Sequence, residues 1–420
     1  MTSSTKNSDH VPNVWNFGTV SEFFDVITGT TPPTKEIEFW NHGTIQWFTP
    51  ADLSKLNGRV HTDNSERHIT PKGLKYSNLE PVPKESIIIS TRAPVGSIAI
   101  TSEPATFNQG CKGLVPKDPQ TTESIFYYYY LLLNRENLVN RSGGSTFKEL
   151  SKDLLEQFPV PHPPIQEQRH IAAILTNVDD AIQRSRQAAA EMERLKAGVM
   201  QKLMTKGIGH TEFREDPDVG IVPKEWNVKK LGEISDIVSG GTPSRNEKKF
   251  WNGNIPWIKT GEINYNIICN TEEKITQAGL ENSAARIIPK GTLLMALYGQ
   301  GVTRGRVAIT GIEATINQAC AAIMFKEEVD MKFIFYFLSG QYHAIRTLSG
   351  GSNQNNLNIP LIKSVAISIP PLPEQQQIST ILSTLDHKLS LQRQRTAHYE
   401  RLKQGLMNEL LTGNRRVQVM

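Results

Sequence analysis

Two long segments of the chain are mostly polar and carry a single narrow stripe of apolar side chains. The first stripe comprises Val178, Ile182, Ala189, Met192, Leu195, Val199 and Leu203, and the second comprises Leu385, Leu389, Thr396, Tyr399, Leu402, Leu406 and Leu410. Spacings of three and four residues are typical of an amphipathic helix with a coiled-coil-like seam. A helix of this kind, about 30 residues and roughly 45 Å long, is not stable alone in water, so each segment requires a packing partner.

Both predicted helices begin after a proline pair and contain a capping pattern. Pro163-Pro164 and Pro370-Pro371 stand where a helix N-terminus tolerates proline. Further on, Thr176-Asn177-Val178-Asp179 and Ser383-Thr384-Leu385-Asp386 fit the Ser/Thr-x-x-Asp/Glu capping signature. The sequence therefore predicts a short helix, a break or kink near residues 176 and 383, and then a long helix.

The segments 15–160 and 226–367 have a different pattern, in which Gly, Pro, Asn and Thr separate short apolar runs. Runs such as Ser86–Ser90 and Gly96–Ile100 are bounded by turn residues and predict strands. Helices are predicted at Ser124–Asn134 and at its counterpart Met331–Leu338. Each segment is therefore expected to be a mixed α/β globular domain.

The second half of the chain repeats the first. WNFGTVSEFFDVITGTTP from Trp15 recurs as WNVKKLGEISDIVSGGTP from Trp226, and residues 161–205 align without gaps to residues 368–412, with 19 identities in 45 positions. A period of about half the chain indicates duplication of a whole unit, not a solenoid. The predicted segments are 1–160, 161–212, 213–367 and 368–420.

The duplication predicts how the two helices find partners. Two identical patterns can pair antiparallel by a pseudo-two-fold, which would place one globular domain at each end of a helical spacer. The alternative is that each helix folds onto its own domain. The first arrangement is favoured because the seam is longer than such a domain is wide. The expected fold is α+β, with two similar mixed α/β domains joined by two long antiparallel helical regions.

Composition narrows the class of protein. The chain has 420 residues, 46 Lys and Arg, 42 Asp and Glu, and 3 Cys. So few cysteines cannot form a disulfide framework, and the polar N-terminus lacks the apolar core of a signal peptide, so a cytoplasmic protein is expected. The longest apolar run, Tyr127–Leu133, is too short to span a bilayer.

Catalytic signatures are absent from the sequence. It contains no phosphate-binding G-x-x-x-x-G-K-[ST] loop and no G-x-G-x-x-G after a strand, and its ten histidines show no metal-ligand spacing with cysteine. Cys111 and Cys320 occupy matching places and are interpreted as core residues, not nucleophiles. A duplicated protein of this kind is suited to binding a ligand with two sites at a fixed separation, as duplex DNA presents them.

The charge distribution argues against strong DNA binding by this chain alone. Residues 1–160 carry 15 basic and 17 acidic side chains, residues 161–212 carry 7 and 6, residues 213–365 carry 17 and 15, and residues 366–420 carry 7 and 4. The segment charges are thus −2, +1, +2 and +3. Any DNA-binding face must therefore be a local cluster of basic residues, or another subunit must supply the phosphate neutralisation.

Several motifs resemble one known family. GTTPP, FWNHGTIQWFTPADL, TFNQGC and SGGSTFKELSKDLLEQFPVPHPP followed by QEQRHIAAIL are repeated as GGTPS, FWNGNIPWIKTGEI, TINQAC and PPLPEQQQISTILSTLD. Together they resemble the specificity subunit of type I restriction-modification systems. The resemblance covers nearly the whole chain, from Trp15 to Thr412.

The resemblance implies a function and a set of partners. It implies two target-recognition domains that each read one half of a bipartite, gapped sequence in double-stranded DNA, and helical regions that set the gap and dock two methyltransferase subunits. The chain would be non-catalytic and hold no cofactor or metal. The methyltransferase subunits would bind S-adenosylmethionine and methylate adenine at N6, and two restriction subunits would use ATP and Mg to translocate and cut DNA. No membrane partner is implied. The alternative is a duplicated coiled-coil scaffold that does not read DNA sequence.

Candidate contact residues follow from side-chain chemistry. Cations and amides on loops can meet phosphates or base edges, and the DNA-contact candidates are Lys35, Arg92, Asn108, Lys112, Ser145, Lys148, Arg245, Lys248, Lys259, Arg304, Arg306, Asn353 and Gln354. The candidates for subunit docking are charges kept in both helices, namely Arg186, Glu193, Arg194, Lys196, Arg393, Glu400, Arg401 and Lys403. The alternative for each is a solvated surface charge. Trp47 and Trp257 are predicted to pack in the core and not to stack on bases.

Overall fold

The computed structural model describes residues 15–56, 58–62, 64–141, 149–299, 301–349 and 356–417. The chain divides into two units. The first consists of Met1–Gln187 and Arg393–Met420, and the second of Ala188–Gln392. The boundaries cut through both long helices, so each unit contains one globular domain and one half of each helix. The four segments predicted from the sequence are thus combined into two units, and their boundaries stay a prediction.

The first unit contains nine strands among its described residues. They are β1 (Asn16–Thr19), β2 (Phe24–Thr28), β3 (Ile45–Phe48), β4 (Arg67–Ile69), β5 (Ile87–Ser90), β6 (Ile98–Ile100), β7 (Ala105–Phe107), β8 (Cys111–Pro116) and β9 (Pro159–His162). Its helices are α1 (Val20–Phe23), α2 (Pro50–Lys55), α3 (Pro71–Tyr76), α4 (Ser124–Leu133), α5 (Arg135–Arg141), α6 (Lys152–Glu156) and the first half of α7 (Ile165–Lys206). A 3₁₀ turn lies at Ile37–Phe39.

The second unit repeats these elements and adds several. Its strands are β10 (Phe213–Asp216), β11 (Gly220–Pro223), β12 (Asn227–Lys230), β13 (Ser235–Ser239), β14 (Trp251–Ile258), β15 (Ile267–Ile268), β16 (Glu273–Ile275), β17 (Ile287–Ile288), β18 (Leu293–Ala296), β19 (Val307–Thr310), β20 (Ala314–Ile316), β21 (Cys320–Phe325) and β22 (Ala366–Ile369). Its helices are α8 (Leu231–Ile234), α9 (Gln277–Glu281), α10 (Met331–Gly340), α11 (Tyr342–Thr347), α12 (Ile359–Lys363) and the first half of α13 (Leu372–Leu410). 3₁₀ turns lie at Lys248–Phe250 and Thr260–Glu262.

Both domains have the same sheet plan. In the first, the larger sheet has the strand order β2-β8-β5-β6 and the smaller has β4-β3-β7. In the second, the orders are β13-β21-β18-β19-β15 and β16-β14-β20-β17. The pairs β1-β9 and β12-β22 join the two ends of each domain antiparallel. The duplication seen in the sequence is therefore retained in the topology, which confirms the predicted α+β fold of two similar domains.

The central strand of each larger sheet is buried on both faces. Ile87 and Ile89 pack with α4 and the long helices, whereas Ile88 between them packs toward the smaller sheet. Leu293 and Leu294 divide in the same way in the second domain. Successive strand residues point to opposite faces, which is why both runs are uninterrupted apolar sequences. The predicted strands and helices in these segments are confirmed.

In the first unit, the beginning of α7 packs antiparallel against the end of α13. Ile171 and Leu175 share one apolar core with Met407 and Leu410. Farther along the pair, the Ser185 and Thr396 hydroxyls lie 2.8 Å apart. In the second unit, the end of α7 packs against the beginning of α13 through Leu203, Met204, Ile378 and Leu382. The helices therefore pair with each other in both units, and the alternative in which each helix folds only onto its own domain is wrong.

Two details of the predicted helices are also wrong. The helix α7 runs without interruption for 42 residues and α13 for 39, so there is no break at 176 or 383. Leu195 and its counterpart Leu402 belong to the predicted apolar seam but are 57% and 42% exposed. The capping-like aspartates have other partners, described below.

Candidate nucleic-acid interface

A tryptophan pair lies on the smaller sheet of the first domain. Trp47 is buried, and its ring meets Trp40 edge-on at 4.9 Å. Trp47 lies opposite Arg67 in the antiparallel pair β3-β4, and the Arg67 guanidinium carbon stands 3.6 Å from the centre of the Trp40 ring. The result is an exposed arginine held flat against an aromatic surface, a geometry that leaves its N–H edge available.

The second domain builds the same arrangement from different positions. Trp257 is buried and meets Trp251 edge-on at 5.1 Å. The guanidinium over Trp251, at 3.8 Å, belongs to Arg245, which comes from the loop before the 3₁₀ turn. The residue opposite Trp257 in β14-β16 is Glu273, and its carboxylate accepts a hydrogen bond from Arg245.

Around these side chains the backbone frame is the same in both domains. The Asp52 carboxylate accepts hydrogen bonds from the backbone N–H groups of Thr49 and Glu66. In the second domain the Glu262 carboxylate accepts from the backbone N–H groups of Lys259 and Glu272. The same backbone frame thus presents different side chains in the two domains.

The second domain has a balanced charge network at this place. Lys259 Nζ lies 2.7 Å from Glu272 and 3.2 Å from Glu273. Burial by itself would raise the pKa of Glu273. Hydrogen bonds from Arg245 and Lys259 outweigh this effect and lower the pKa. The carboxylate is therefore an acceptor at neutral pH. Arg245 and Lys259, two of the predicted DNA-contact residues, are brought together here.

The loop that carries Arg304 and Arg306 is held by hydrogen bonds to Arg346 and Asn264. Arg346 donates to the carbonyl oxygens of Gly301 (2.6 Å) and Arg304 (3.2 Å), and Arg306 donates to Asn264 Oδ1 at 2.7 Å. The buried Nε atoms of Arg304 and Arg306 have no hydrogen-bond partner among the residues that the structure describes. Both cations are half-buried and not extended into solvent.

The Asn-Gln pair that both domains share has a structural role. Asn108 Oδ1 accepts a hydrogen bond from the backbone N–H of Gly110 at 2.9 Å, and Asn317 does the same for Ala319 at 3.1 Å. Gln109 receives a hydrogen bond from Thr31, which ties this turn to the GTTP loop. Asn108, a predicted contact residue, therefore stabilises a turn.

The remaining predicted DNA-contact residues are scattered. Lys35 and Lys248 are exposed, and Arg92 pairs with Glu149 at 3.1 Å. Lys112 is only 5% exposed, and burial lowers its pKa. Ser145, Lys148, Asn353 and Gln354 lie outside the described residues.

Each long helix is anchored by a carboxylate near its N-terminus, which is buried in Glu167 and half-buried in Glu374. Glu167 accepts hydrogen bonds from the Trp15 indole at 3.0 Å and from Arg416 at 2.6 and 2.7 Å. Glu374, its duplicate, accepts from the Trp226 indole at 3.1 Å and lies 3.0 Å from His210 Nε2. Each glutamate thus fixes its helix to the tryptophan that directly precedes β1 in the first unit and β12 in the second.

A second carboxylate joins domain and helices farther along. In the first unit, Asp179 accepts a hydrogen bond from Tyr129 Oη at 2.7 Å and pairs with Lys403. In the second unit, Asp386 accepts from Tyr336 Oη at 2.7 Å and pairs with Lys196. Burial is the main reason that the pKa values of Tyr129 and Tyr336 are raised, and the adjacent carboxylate raises them further. The phenols therefore remain hydrogen-bond donors. The aspartates that resembled helix caps are therefore tertiary contacts.

Comparison with known proteins identifies this arrangement. Residues 12–194 and 223–401 each match the family model of the type I restriction modification DNA specificity domain. The chain belongs to the type I restriction-modification DNA specificity family. The resemblance inferred from the motifs is confirmed.

Specificity subunits from Methanocaldococcus jannaschii match almost end to end. The MjaIX specificity subunit is 28% identical over 414 residues, which is 97% of this chain and 95% of the relative. The MjaVIII specificity subunit is 24% identical, covering 97% and 94%. Among solved structures, the S subunit of a type I restriction-modification system from M. genitalium covers 100% of both chains with a TM-score of 0.59 and 14% identity. At that identity the likeness concerns the fold.

Members of this specificity family are non-catalytic, and the structure shows how this member uses the charges predicted for docking. Arg186 and Glu400 face each other at 2.6 Å in the first unit. Lys403 and Lys196 form the ion pairs with aspartate described above. Arg186 and Glu400 are exposed, as are Glu193, Arg194, Arg393 and Arg401. A docking role for all eight remains a prediction, with Lys196 and Lys403 already engaged inside the chain.

Two further properties concern the described part of this specificity-family member. No group of three or more His, Cys, Asp or Glu side chains that could hold a metal ion occurs there. Among the same residues, no helix has the length and apolar character needed to cross a membrane. The thiols of Cys111 and Cys320 are buried, which raises their pKa, in Cys320 to about 12.

Arg67, Tyr129 and Tyr336 are not among the candidate site residues predicted from the sequence. No repeated motif marks Arg67, because Glu273 stands in its place in the second copy. For the two tyrosines, the internal repeat of the sequence does contain a signal. Tyr129 and Tyr336 are separated by 207 residues, the same offset that relates Asp179 to Asp386, so each tyrosine and aspartate are duplicated together.

Proposed function

We propose that this chain is the sequence-specificity subunit of a type I restriction-modification complex, in which each target-recognition domain reads one half of a bipartite, gapped site in double-stranded DNA. The observation that carries the proposal is the pair of tryptophan-backed arginines, Arg67 and Arg245, on matching frames. A duplicated frame with different charges at matching positions suits two different half-sites. The MjaIX and MjaVIII relatives are themselves specificity subunits.

The helices set the distance between the half-sites and dock two methyltransferase subunits. Support for docking comes from Leu195 and Leu402, duplicated positions at which a large apolar side chain is exposed on an otherwise charged helix. Exposed apolar side chains rimmed by charges are typical of protein-protein contacts. Arg194 and Arg401 lie next to these leucines in the sequence and are exposed.

The chemistry belongs to the partner subunits. The chain itself holds no cofactor, the methyltransferase subunits bind S-adenosylmethionine and methylate adenine at N6, and two restriction subunits use ATP and Mg to translocate and cut DNA. The near-neutral charge of the chain supports this division, because a solitary DNA-binding protein needs more phosphate neutralisation.

Reconstitution tests the proposal. The chain is combined with its methyltransferase subunits, and adenine methylation is mapped on a library of random duplexes. We expect one bipartite sequence with a fixed gap. Exchanging residues 226–365 for another second domain should alter one half-site only, and exchanging the first domain provides the matched control. A contiguous ungapped site would contradict two-domain reading, and methylation without sequence preference would favour the scaffold alternative.

A further inference from the structure

The two domains differ in charge at one matched position. Arg67 lies opposite Trp47 in β3-β4, and Glu273 lies opposite Trp257 in β14-β16. The preceding residues, Glu66 and Glu272, are identical and have their backbone N–H groups bound in the same way. The backbone around this position is thus constant, while its side chain changes from a guanidinium to a carboxylate.

Arg67 is held in place but not neutralised. Its guanidinium stacks on Trp40 at 3.6 Å and is 5.6 Å from the Trp47 ring. Within the described part of the chain its side-chain N–H groups have no hydrogen-bond acceptor, and the neighbouring Glu66 pairs with Lys55 at 2.6 Å. Stacking uses the face of the guanidinium and leaves the planar fork of donors free. That fork matches the O6 and N7 acceptors of guanine in the major groove.

Glu273 offers the opposite chemistry. One of its oxygens accepts from Arg245 and the other from Lys259. The side chain is 31% exposed, and each oxygen retains acceptor capacity. A carboxylate held in this way can accept a hydrogen bond from the exocyclic amine of cytosine or adenine, and it repels the acceptor edge of guanine.

We propose that Arg67 and Glu273 determine the base preference at one equivalent position in each half-site, guanine for Arg67 and an amine-bearing base for Glu273. This inference rests on the proposed function. It assigns the smaller sheet of each domain, and not the Arg304–Arg306 loop, to direct base reading. Trp40 and Trp47 position the Arg67 guanidinium. Trp251 and Trp257 position the guanidinium of Arg245, which binds Glu273.

The test uses the full chain assembled with its methyltransferase subunits and methylation mapping on random duplexes. For Arg67→Ala we expect one position of the first half-site to lose its guanine preference by roughly 10- to 100-fold, with the second half-site unchanged. Arg67→Lys should keep most of the affinity but only part of the preference, because an ammonium cannot donate as a planar fork. Glu273→Gln should alter the second half-site alone.

Lys117→Ala is the matched control for loss of one positive charge. Lys117 is an exposed cation of the same domain that binds the Ser21 carbonyl oxygen instead of a tryptophan. The base preferences of the first half-site should be unchanged in Lys117→Ala. Thermal unfolding of each variant checks the fold, and Arg67→Gln serves as a second variant should Arg67→Ala unfold.

Three results would overturn the inference. Unchanged preference at every position in folded Arg67→Ala would show that Arg67 reads no base. An equal loss of methylation at all sequences would assign Arg67 to a phosphate. A wild-type complex that selects no bipartite site would contradict the proposed function together with this inference, which separates that failure from the other two.

Discussion

Lys403 Nζ lies 2.7 Å from Asp179 Oδ1, and the duplicates Lys196 and Asp386 form the same ion pair in the other unit. Both members of the first pair are nearly buried, with 14% and 9% of their side chains exposed, whereas the second pair is 26% and 37% exposed. Identical chemistry thus occurs in two different environments within one chain.

The first prediction concerns this difference. Asp179→Ala leaves the Lys403 ammonium and the Tyr129 hydroxyl without their acceptor in a buried site, and we expect the unit to lose about 3–5 kcal/mol of unfolding free energy. Asp386→Ala should cost clearly less, because water can replace the carboxylate. Urea denaturation of the full chain measures both. Glu156→Ala, which breaks the partly exposed pair with Lys152, is the control and should change the stability by less than about 0.5 kcal/mol. Equal costs for the two aspartates would contradict the argument from burial.

The second prediction is a pH dependence at His162. Its ring stacks on Phe23 at 4.1 Å and shares a hydrogen bond with Tyr127 Oη at 2.7 Å, and burial lowers its pKa below the ordinary 6.5. The unfolded chain therefore binds a proton more readily than the folded chain. Stability is full above the unfolded pKa and falls as the pH decreases below about 6.5.

The variant His162→Phe keeps the stacking and removes the titration. We expect it to be less stable than the wild type at neutral pH, because Tyr127 loses its partner, but to lose less stability between about pH 7.5 and 5.5. The melting temperature at both pH values measures this. His170→Gln, at an exposed position of α7, is the control and should keep the wild-type pH dependence. A pH dependence unchanged in His162→Phe would assign it to other groups.

The third prediction concerns subunit docking. Leu195→Ser and Leu402→Ser replace exposed apolar side chains, so the fold of the free chain should be unaffected. If the methyltransferase subunits cover these positions, each substitution should weaken assembly by about 10-fold or more, as expected for a buried interface leucine. Titration by size-exclusion chromatography or calorimetry measures the affinity. Ile221→Ser, at a 65% exposed position of the β10-β11 hairpin, is the matched control. Wild-type assembly by both leucine variants would move the docking surface elsewhere.

The long helices and the two-domain plan were predictable because they depend on local periodicity and on duplication. Ile87–Ile89 and Leu293–Ala296 are apolar runs whatever their partners are. The continuity of α7 through residue 176 was not predictable, since a capping signature depends on short-range sequence only. Asp179 instead binds Tyr129 and Lys403, which are 50 and 224 residues away along the chain.

The candidate interface was less predictable than the fold. Arg245 follows a repeated motif and was identified, but Arg67 reaches its tryptophan only through the register of two antiparallel strands. Lys112 has the side-chain chemistry of a DNA-contact residue, but it is buried. A loop residue's exposure depends on tertiary packing, which neither spacing nor composition records.

The final prediction follows from the reciprocity of the two ion pairs. A fragment of residues 1–212 contains both Asp179 and Lys196, the duplicates of Asp386 and Lys403. Two copies paired antiparallel along α7 would form an Asp179–Lys196 contact twice, and each unit of the full chain forms the equivalent contact once. We therefore expect the fragment to be a dimer in analytical ultracentrifugation.

Charge reversal makes this last test specific. Lys196→Asp places two carboxylates together at each contact and should convert the fragment to a monomer, because like charges in a partly buried site repel strongly. Adding Asp179→Lys to the same fragment restores opposite charges and should restore the dimer. The fragment with Arg194→Asp, a substitution at an exposed position, is the control for net charge and should remain a dimer. A Lys196→Asp fragment that stays dimeric would show that apolar contacts such as Ile171 and Leu175 determine the pairing without help from the ion pair.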